Sequence, residues 1–297
     1  MSPLHPTEQV REQPQYQLLS NLANGNDEGA SHESILDAFC EPVENRYIET
    51  TDSSDVEELL WPSWQCLIAC AAATSHESEG QQKLVDVVLG LQHRAVLEKE
   101  GEVCHVQDGV VWRDLPLFGW QMREAWNAGK HAIFFLEVCA IRCVHANSYP
   151  AASDSSEEES KRHWININAW TARLVSTTHA KEADKPDLSL YCIWTLRMAL
   201  ETEEQPSNVS LSAAAVWLIY AAPSIWDFCL QRKTFDGKVA KPGPRSSDQE
   251  WRGFPRERWE TWVQRLSSEL DGQTSDGVTK QLVVQALRGM SDAHSKR

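Results

Sequence analysis

Asp187-Leu-Ser-Leu-Tyr-Cys-Ile-Trp-Thr-Leu-Arg-Met-Ala-Leu-Glu-Thr202 is the stretch that decides the fold. Leu188, Leu190, Tyr191, Cys192, Ile193, Trp194, Leu196, Met198 and Leu200 leave the helix predicted over 188–202 with almost no polar side, and Pro186-Asp187 supplies its start signal. A helix with no solvent face must be surrounded by others. The run 211–231, kinked at Pro223, is expected to pack beside it. Upstream, Leu59, Leu60, Trp64, Leu67, Ile68 and Ala71 recur at three- and four-residue steps behind the acidic first turn Asp55, Glu57, Glu58. Leu84, Val87, Val88, Leu91 and Ala95 repeat that pattern, predicting an antiparallel neighbour over 80–98 across the turn at 75–80. Further helices are expected from Leu117 through Trp120, Met122, Ala125 and Trp126, over 163–178, around Trp259 to Leu266, and around Leu282 to Leu287. No period-2 run of β-branched residues intervenes, so the expected fold is all-α, an array of about eight helices around a Trp-rich core. The most apolar run, 211–226, contains Pro223 and falls short of the ~20 residues that a membrane span needs. Residues 1–50 read as a mobile acidic N-terminal arm and 51–297 as a single helical domain.

Charge narrows the partners. The 297 residues carry 28 Lys plus Arg against 43 Asp plus Glu, a formal charge of −15, which disfavours a nucleic acid or an anionic membrane surface. A protein partner, or a small apolar or aromatic ligand, fits better. From Asp27 to Leu60 there are 11 acidic residues against the single base Arg46, read as a solvated face or a docking strip for a basic partner. The N-terminus has no basic segment leading into an apolar core, so a cytoplasmic location is expected, with the nucleus left open. The eight Cys, without a C-x-x-C pair, read as core thiols. No dinucleotide, P-loop, zincin or hydrolase-elbow motif is present and the ten His are scattered, so neither a cofactor nor a metal is expected.

The ordered blocks Val111-Trp-Arg-Asp-Leu-Pro-Leu-Phe-Gly-Trp-Gln-Met-Arg-Glu-Ala-Trp-Asn127, Trp164-Ile-Asn-Ile-Asn-Ala-Trp-Thr-Ala-Arg-Leu174, Asp187 to Arg197, and Gly253-Phe-Pro-Arg-Glu-Arg-Trp-Glu-Thr-Trp262 carry a family resemblance. Together, spanning residues 55–290, they resemble a fungal family numbered 3632 among the domains of unknown function. The resemblance implies a helical fold in filamentous fungi and brings no established catalytic residues.

Candidate site residues are polar or aromatic groups on apolar helices. Asn166, Trp170 and Arg173 stand at i, i+4, i+7 on one face, and Trp194, Arg197 and Glu201 at i, i+3, i+7 on another. Arg stacks on indole and forks to carboxylates, so such faces either tie helices together or hold a carboxylate or planar ring. Asp114, Glu124, Tyr220 and Trp226 complete the set. Arg197, on a helix apolar all round, is expected to reach Glu201 or to face a polar cavity. Two functional readings follow: a protein–protein interaction or scaffold module, or a cofactor-independent small-molecule enzyme or binding protein with an aromatic pocket walled by Trp170, Trp194, Tyr220 and Trp226.

Residues 129–151 depart from the family pattern with an unannounced apolar run. They read as an extra helix or strand, or as a retained intron. Gly129-Lys130 can be encoded as GGT-AAG, a splice donor, Ala146-Asn147 as GCT-AAC, a branch site, and Pro150-Ala151 as CCA-G, an acceptor. Removing the stretch keeps the frame and joins Trp126-Asn127-Ala128 to Ala152-Ser153 through one alanine. On the intron reading, amplifying the transcript across codons 120–165 gives a product about 66 nucleotides shorter than genomic DNA, and equal lengths exclude it.

Overall fold

A computed structural model describes residues 6–26, 29–143, 154–180, 186–271 and 275–295. Among them are twelve α-helices and two minimal hairpins, an all-α architecture. The chain divides into two compact units, Met1–Trp170 and Thr171–Arg297, where the sequence suggested one domain over 51–297.

The first unit starts with α1 (Glu8–Arg11), α2 (Pro14–Asn24) and α3 (His32–Thr50), so the predicted mobile arm is replaced by three helices. The reason is a stripe that the acid count hides. Ile35, Leu36, Phe39, Cys40, Val43 and Tyr47 repeat at helical spacing and are buried, while Glu33, Asp37 and Glu41 take the outer face. Ser31 caps α3 by accepting from the Ser34 N–H at 3.1 Å. Next come α4 (Ser53–Ala73), capped by Asp52, and α5 (Glu79–His93), capped by Ser78. Both pack mainly on α2 and touch each other far less, so a helix the periodicity did not reveal is the chief neighbour of each member of the pair read from the sequence. At the α4–α5 connection Gln81 Nε2 donates to the carbonyls of Ala71 and Thr74, each at 3.1 Å.

The hairpins β1 (Glu98–Lys99) with β2 (Glu102–Val103) and β3 (His105–Val106) with β4 (Gly109–Val110) lead into α6 (Phe118–Cys143). The helix continues beyond Gly129, with Ile133 buried. The rest of the 129–151 stretch, including Cys139, Cys143 and His145, lies outside the residues whose side chains are described. Then α7 (Asp154–Ala180) begins a full two turns before the predicted 163 and spans the boundary between the units.

The second unit adds α8 (Ser189–Leu200), α9 (Asn208–Tyr220), α10 (Ala222–Gln231), α11 (Arg256–Asp271) and α12 (Gly277–Ser295). As the sequence requires, α8 is largely buried and packs on α9, whose residues Val209 to Leu218 are all buried. The expected kink at Pro223 is a full break, since α9 and α10 meet at 80°. Pro223 sits in the first turn of α10, where its missing N–H costs nothing. Among the described residues no single helix is long and apolar enough to cross a membrane.

Cys40, Cys66, Cys70, Cys104, Cys192 and Cys229 are free and buried. Burial pushes Cys66 and Cys104 up to about 11 and Cys70 and Cys229 up to about 12. In a Cys139→Ser/Cys143→Ser background, a thiol reagent at pH 8 should therefore label none of the six until the chain is unfolded. Because folding holds these thiols protonated, the unfolded chain loses protons first. Stability should be intact below about pH 9 and fall as pH rises from there toward 12, read as a dropping melting temperature.

Candidate functional site

The first unit is organised by a loop with three non-glycine residues in the left-handed region, Trp112 (φ 68°), Leu115 (φ 49°) and Leu117 (φ 67°). This backbone persists because its side chains are fixed from several directions. Trp112 is fully buried, edge-on to Trp64 at 6.0 Å, and its Nε1 donates to Glu44 Oε1 at 3.0 Å. Trp64 Nε1 in turn donates to the Pro116 carbonyl at 2.8 Å. Asp114 accepts from the Val110 N–H at 2.8 Å and pairs with exposed Arg113, closing the turn, whereas Glu124 is exposed on α6.

Glu44 also anchors a charge cluster. Arg94, at the C-terminal end of α5, donates through Nε to Glu44 Oε1 at 2.6 Å and through Nη2 to Oε2 at 3.0 Å, while Nη1 reaches Asp37 Oδ1 at 2.7 Å. The Glu44 hydrogen bonds are the largest cause raising the Arg94 pKa, so it stays cationic throughout the working range. Beside this cluster a cleft of about 530 Å³ opens between α3, α5 and the first hairpin, lined by Glu33, Leu36, Glu44, His93, Val96 and Glu98 among others. Its floor depends on Gly90, where a Cβ would lie 2.5 Å from Leu36 Cδ1. With Arg94 already engaged by two carboxylates, Glu33 and Glu98 leave the cleft net negative, and Val96 offers an apolar contact at 40% exposure.

The α7 candidates divide among different neighbours. Asn166 Oδ1 accepts from the His76 N–H at 3.0 Å, its Nδ2 donates to the Ala72 carbonyl at 2.9 Å, and its own carbonyl accepts from Gln81 at 3.0 Å. It is a fastener between α7 and the α4–α5 connection. Trp170 is fully buried, edge-on to Phe118 at 6.1 Å. Arg173, in the second unit, lies over the Tyr220 ring at 3.9 Å.

Arg197 and Glu201 are not partners. Glu201 is fully buried and pairs with Arg258, also fully buried, through Nε–Oε1 at 2.7 Å and Nη2–Oε2 at 3.0 Å. Its oxygens also accept from Trp262 Nε1 at 2.8 Å and from the Gly243 N–H at 2.7 Å. Arg258 Nη1 donates to the carbonyls of Ala240 and Gly253, both at 2.9 Å, so one ion pair fastens α8, α11 and the 232–255 connection. Gly243 is required here, because a Cβ would lie 2.5 Å from the Glu201 carbonyl oxygen. Half-buried Arg197 instead donates to the Lys241 carbonyl at 3.0 Å, beside Trp194, whose Nε1 donates to the Val239 carbonyl at 2.9 Å. Burial, then the Arg258 charge, lowers the Arg197 pKa. The Glu201 alternative for Arg197 fails because the true partner is distant along the chain: Arg258 lies 57 residues beyond Glu201, although Arg258 and Trp262 at i, i+4 carry an Arg-indole pairing of the kind that Trp194 and Arg197 show at i, i+3.

Trp226 packs on Trp259 at 5.3 Å and on His294 at 4.9 Å. Nearby in sequence, Asp227 approaches His179 Nε2 at 3.3 Å. A second open cleft of about 350 Å³ involves Arg245, Trp251, Glu257 and Glu260, and none of the ten candidates lines either cleft. Among the described residues no group of three or more His, Cys, Asp or Glu is placed to hold a metal ion.

The signature of the family described as protein of unknown function (DUF3632) matches residues 64–266, and the chain belongs to that family. No curated protein and no solved structure matches the chain.

The ion pair and Arg197 should respond differently to the same change. Arg258→Met strands a buried carboxylate and should cost about 3–5 kcal/mol, lowering the melting temperature by about 10 °C. Arg197→Met removes neutral carbonyl contacts at a half-exposed site and should cost about 1 kcal/mol. Thermal melts of the two variants side by side decide it, and equal shifts would refute the assignment.

Proposed function

We propose that this DUF3632 protein is a cytoplasmic interaction or scaffold module of fungal cells whose first unit docks a basic segment of a protein partner. The observation that carries the reading is the acid-rimmed cleft between α3, α5 and the β1–β2 hairpin, which continues onto the outer face of α3 through Glu33, Asp37 and Glu41 at i, i+4, i+8. A row of exposed carboxylates beside an apolar-floored cleft supports recognition of Lys and Arg on a partner by steering and by complementary contact. Net charge of −15 extends that field to longer range at low salt. The cleft's own cation does not oppose it, because Arg94 is held by Glu44 and Asp37. The polar candidates on buried helices support the same reading from the other side: Asn166, Trp194, Arg197 and Glu201 spend hydrogen bonds fastening backbone.

A fluorescein-labelled nona-arginine peptide serves as the probe, read by anisotropy. Glu33→Gln/Glu98→Gln should weaken its binding about tenfold, whereas Glu203→Gln/Asp292→Gln, matched in charge and placed on the exposed surface of the second unit, should change it less than about twofold. Equal weakening in both pairs would reduce the effect to net charge and end the docking assignment.

A further inference from the structure

We infer that Trp61 and Trp120 form an aromatic clamp for a lysine or arginine side chain of the basic partner segment, an inference that rests on the interaction reading above. Trp120 is 63% exposed, against the core position its helical pattern suggested. The strained loop explains the outward turn. Leu117, left-handed, sets the start of α6 so that Phe118 packs edge-on to Trp64 at 5.4 Å. Trp120, two residues on and about 200° further round the helix, then points away from that contact. It meets half-buried Trp61 of α4 edge to face, with centroids 6.4 Å apart at 62°, so two indoles form one wedge at the surface of the first unit.

The chemistry around the wedge selects its occupant. Glu57 and Glu58 precede Trp61 by four and three residues on α4, and exposed Glu124 follows Trp120 by four on α6. Exposed Arg123 is the one base at that spacing. Indole faces attract cations through the ring quadrupole, and carboxylates on both helices reinforce that attraction. An aromatic pair with an acidic surround therefore fits the alkyl stem and charged head of Lys or Arg better than an apolar side chain. A surface Trp of this kind is also the residue type that dominates binding energy at interfaces.

The test uses the full chain with nona-arginine, and with nona-citrulline as a neutral isostere, read by anisotropy and by indole fluorescence. Trp120→Ala should weaken nona-arginine binding about five- to tenfold and remove the fluorescence change, Trp120→Phe should restore most of the affinity, and nona-citrulline should not bind. Trp120→Gln stands in if the alanine variant melts early. Unchanged affinity in Trp120→Ala together with a loss in Glu33→Gln/Glu98→Gln overturns the clamp and leaves the cleft standing. The opposite pattern supports the clamp and removes the cleft. Binding of nona-citrulline, or a dimer in sedimentation that Trp120→Ala dissociates, overturns the cationic occupant. No binding of nona-arginine by the unaltered chain overturns both readings.

Discussion

Every buried indole brings an N–H that water can no longer satisfy, and this structure depends on where those donors go. The chain has 13 Trp. An indole offers a large apolar body for the core and a single donor whose loss of a partner costs free energy. Buried Trp64 donates to the Pro116 carbonyl, Trp112 to Glu44 and Trp262 to Glu201, and half-buried Trp194 donates to the Val239 carbonyl. In each case the acceptor lies on a connection or a helix far along the sequence. The indoles thereby do more than fill space: they pin non-helical backbone onto helices. Fully buried Trp170 differs from these four, with no acceptor for its Nε1 among the described residues.

Two of those acceptors are carboxylates, and each recruits an arginine. Glu44 takes Trp112 and Arg94, and Glu201 takes Trp262 and Arg258. The two clusters have the same composition and different consequences. At Glu201 both members of the ion pair are fully buried, the paired charges match one to one, and backbone donors and acceptors consume what remains, so the cluster is a fastener. Around Glu44 the arginine is partly exposed and Asp37 joins it, so carboxylates outnumber the cation at a cleft open to solvent. Excess negative charge at an accessible surface is available to a partner, and charge neutralised inside a core is not.

Helical periodicity made α4, α5, α8, α11 and α12 legible, since each carries an apolar stripe or is apolar throughout. Where the reading went astray, a second signal overlay the first. In α3 the acidic residues dominate composition while Ile35, Phe39 and Val43 still trace a buried stripe. In α9 and α10 a continuous apolar run conceals an 80° break, because burial on all sides erases the phase that would show a change of axis. The site was less legible than the fold. Spacing on one helix identifies residues that share a face, but partners such as Glu201 and Arg258, or Glu44 and Trp112, come together only through tertiary structure. Trp120 shows the converse: its pattern fits a core position, yet the left-handed residues before α6 rotate it into solvent.

That rotation bears on function because it has an energetic alternative. A chain that buries Trp64, Trp112, Trp164, Trp170, Trp217 and Trp262 completely has core contacts able to hold an indole, and a helix starting one residue earlier or later would turn Trp120 by about 100°. The start is set instead by Leu115 and Leu117 in a conformation disfavoured for branched side chains, fixed by the Trp64 hydrogen bond to Pro116 between them. Core packing is served by Phe118 and Trp126, which contact Trp64 and Trp164. It gains little from an exposed Trp120. The strained backbone therefore sustains two results at once, an aromatic cluster inside and an aromatic surface outside, and the proposed clamp rests on the second.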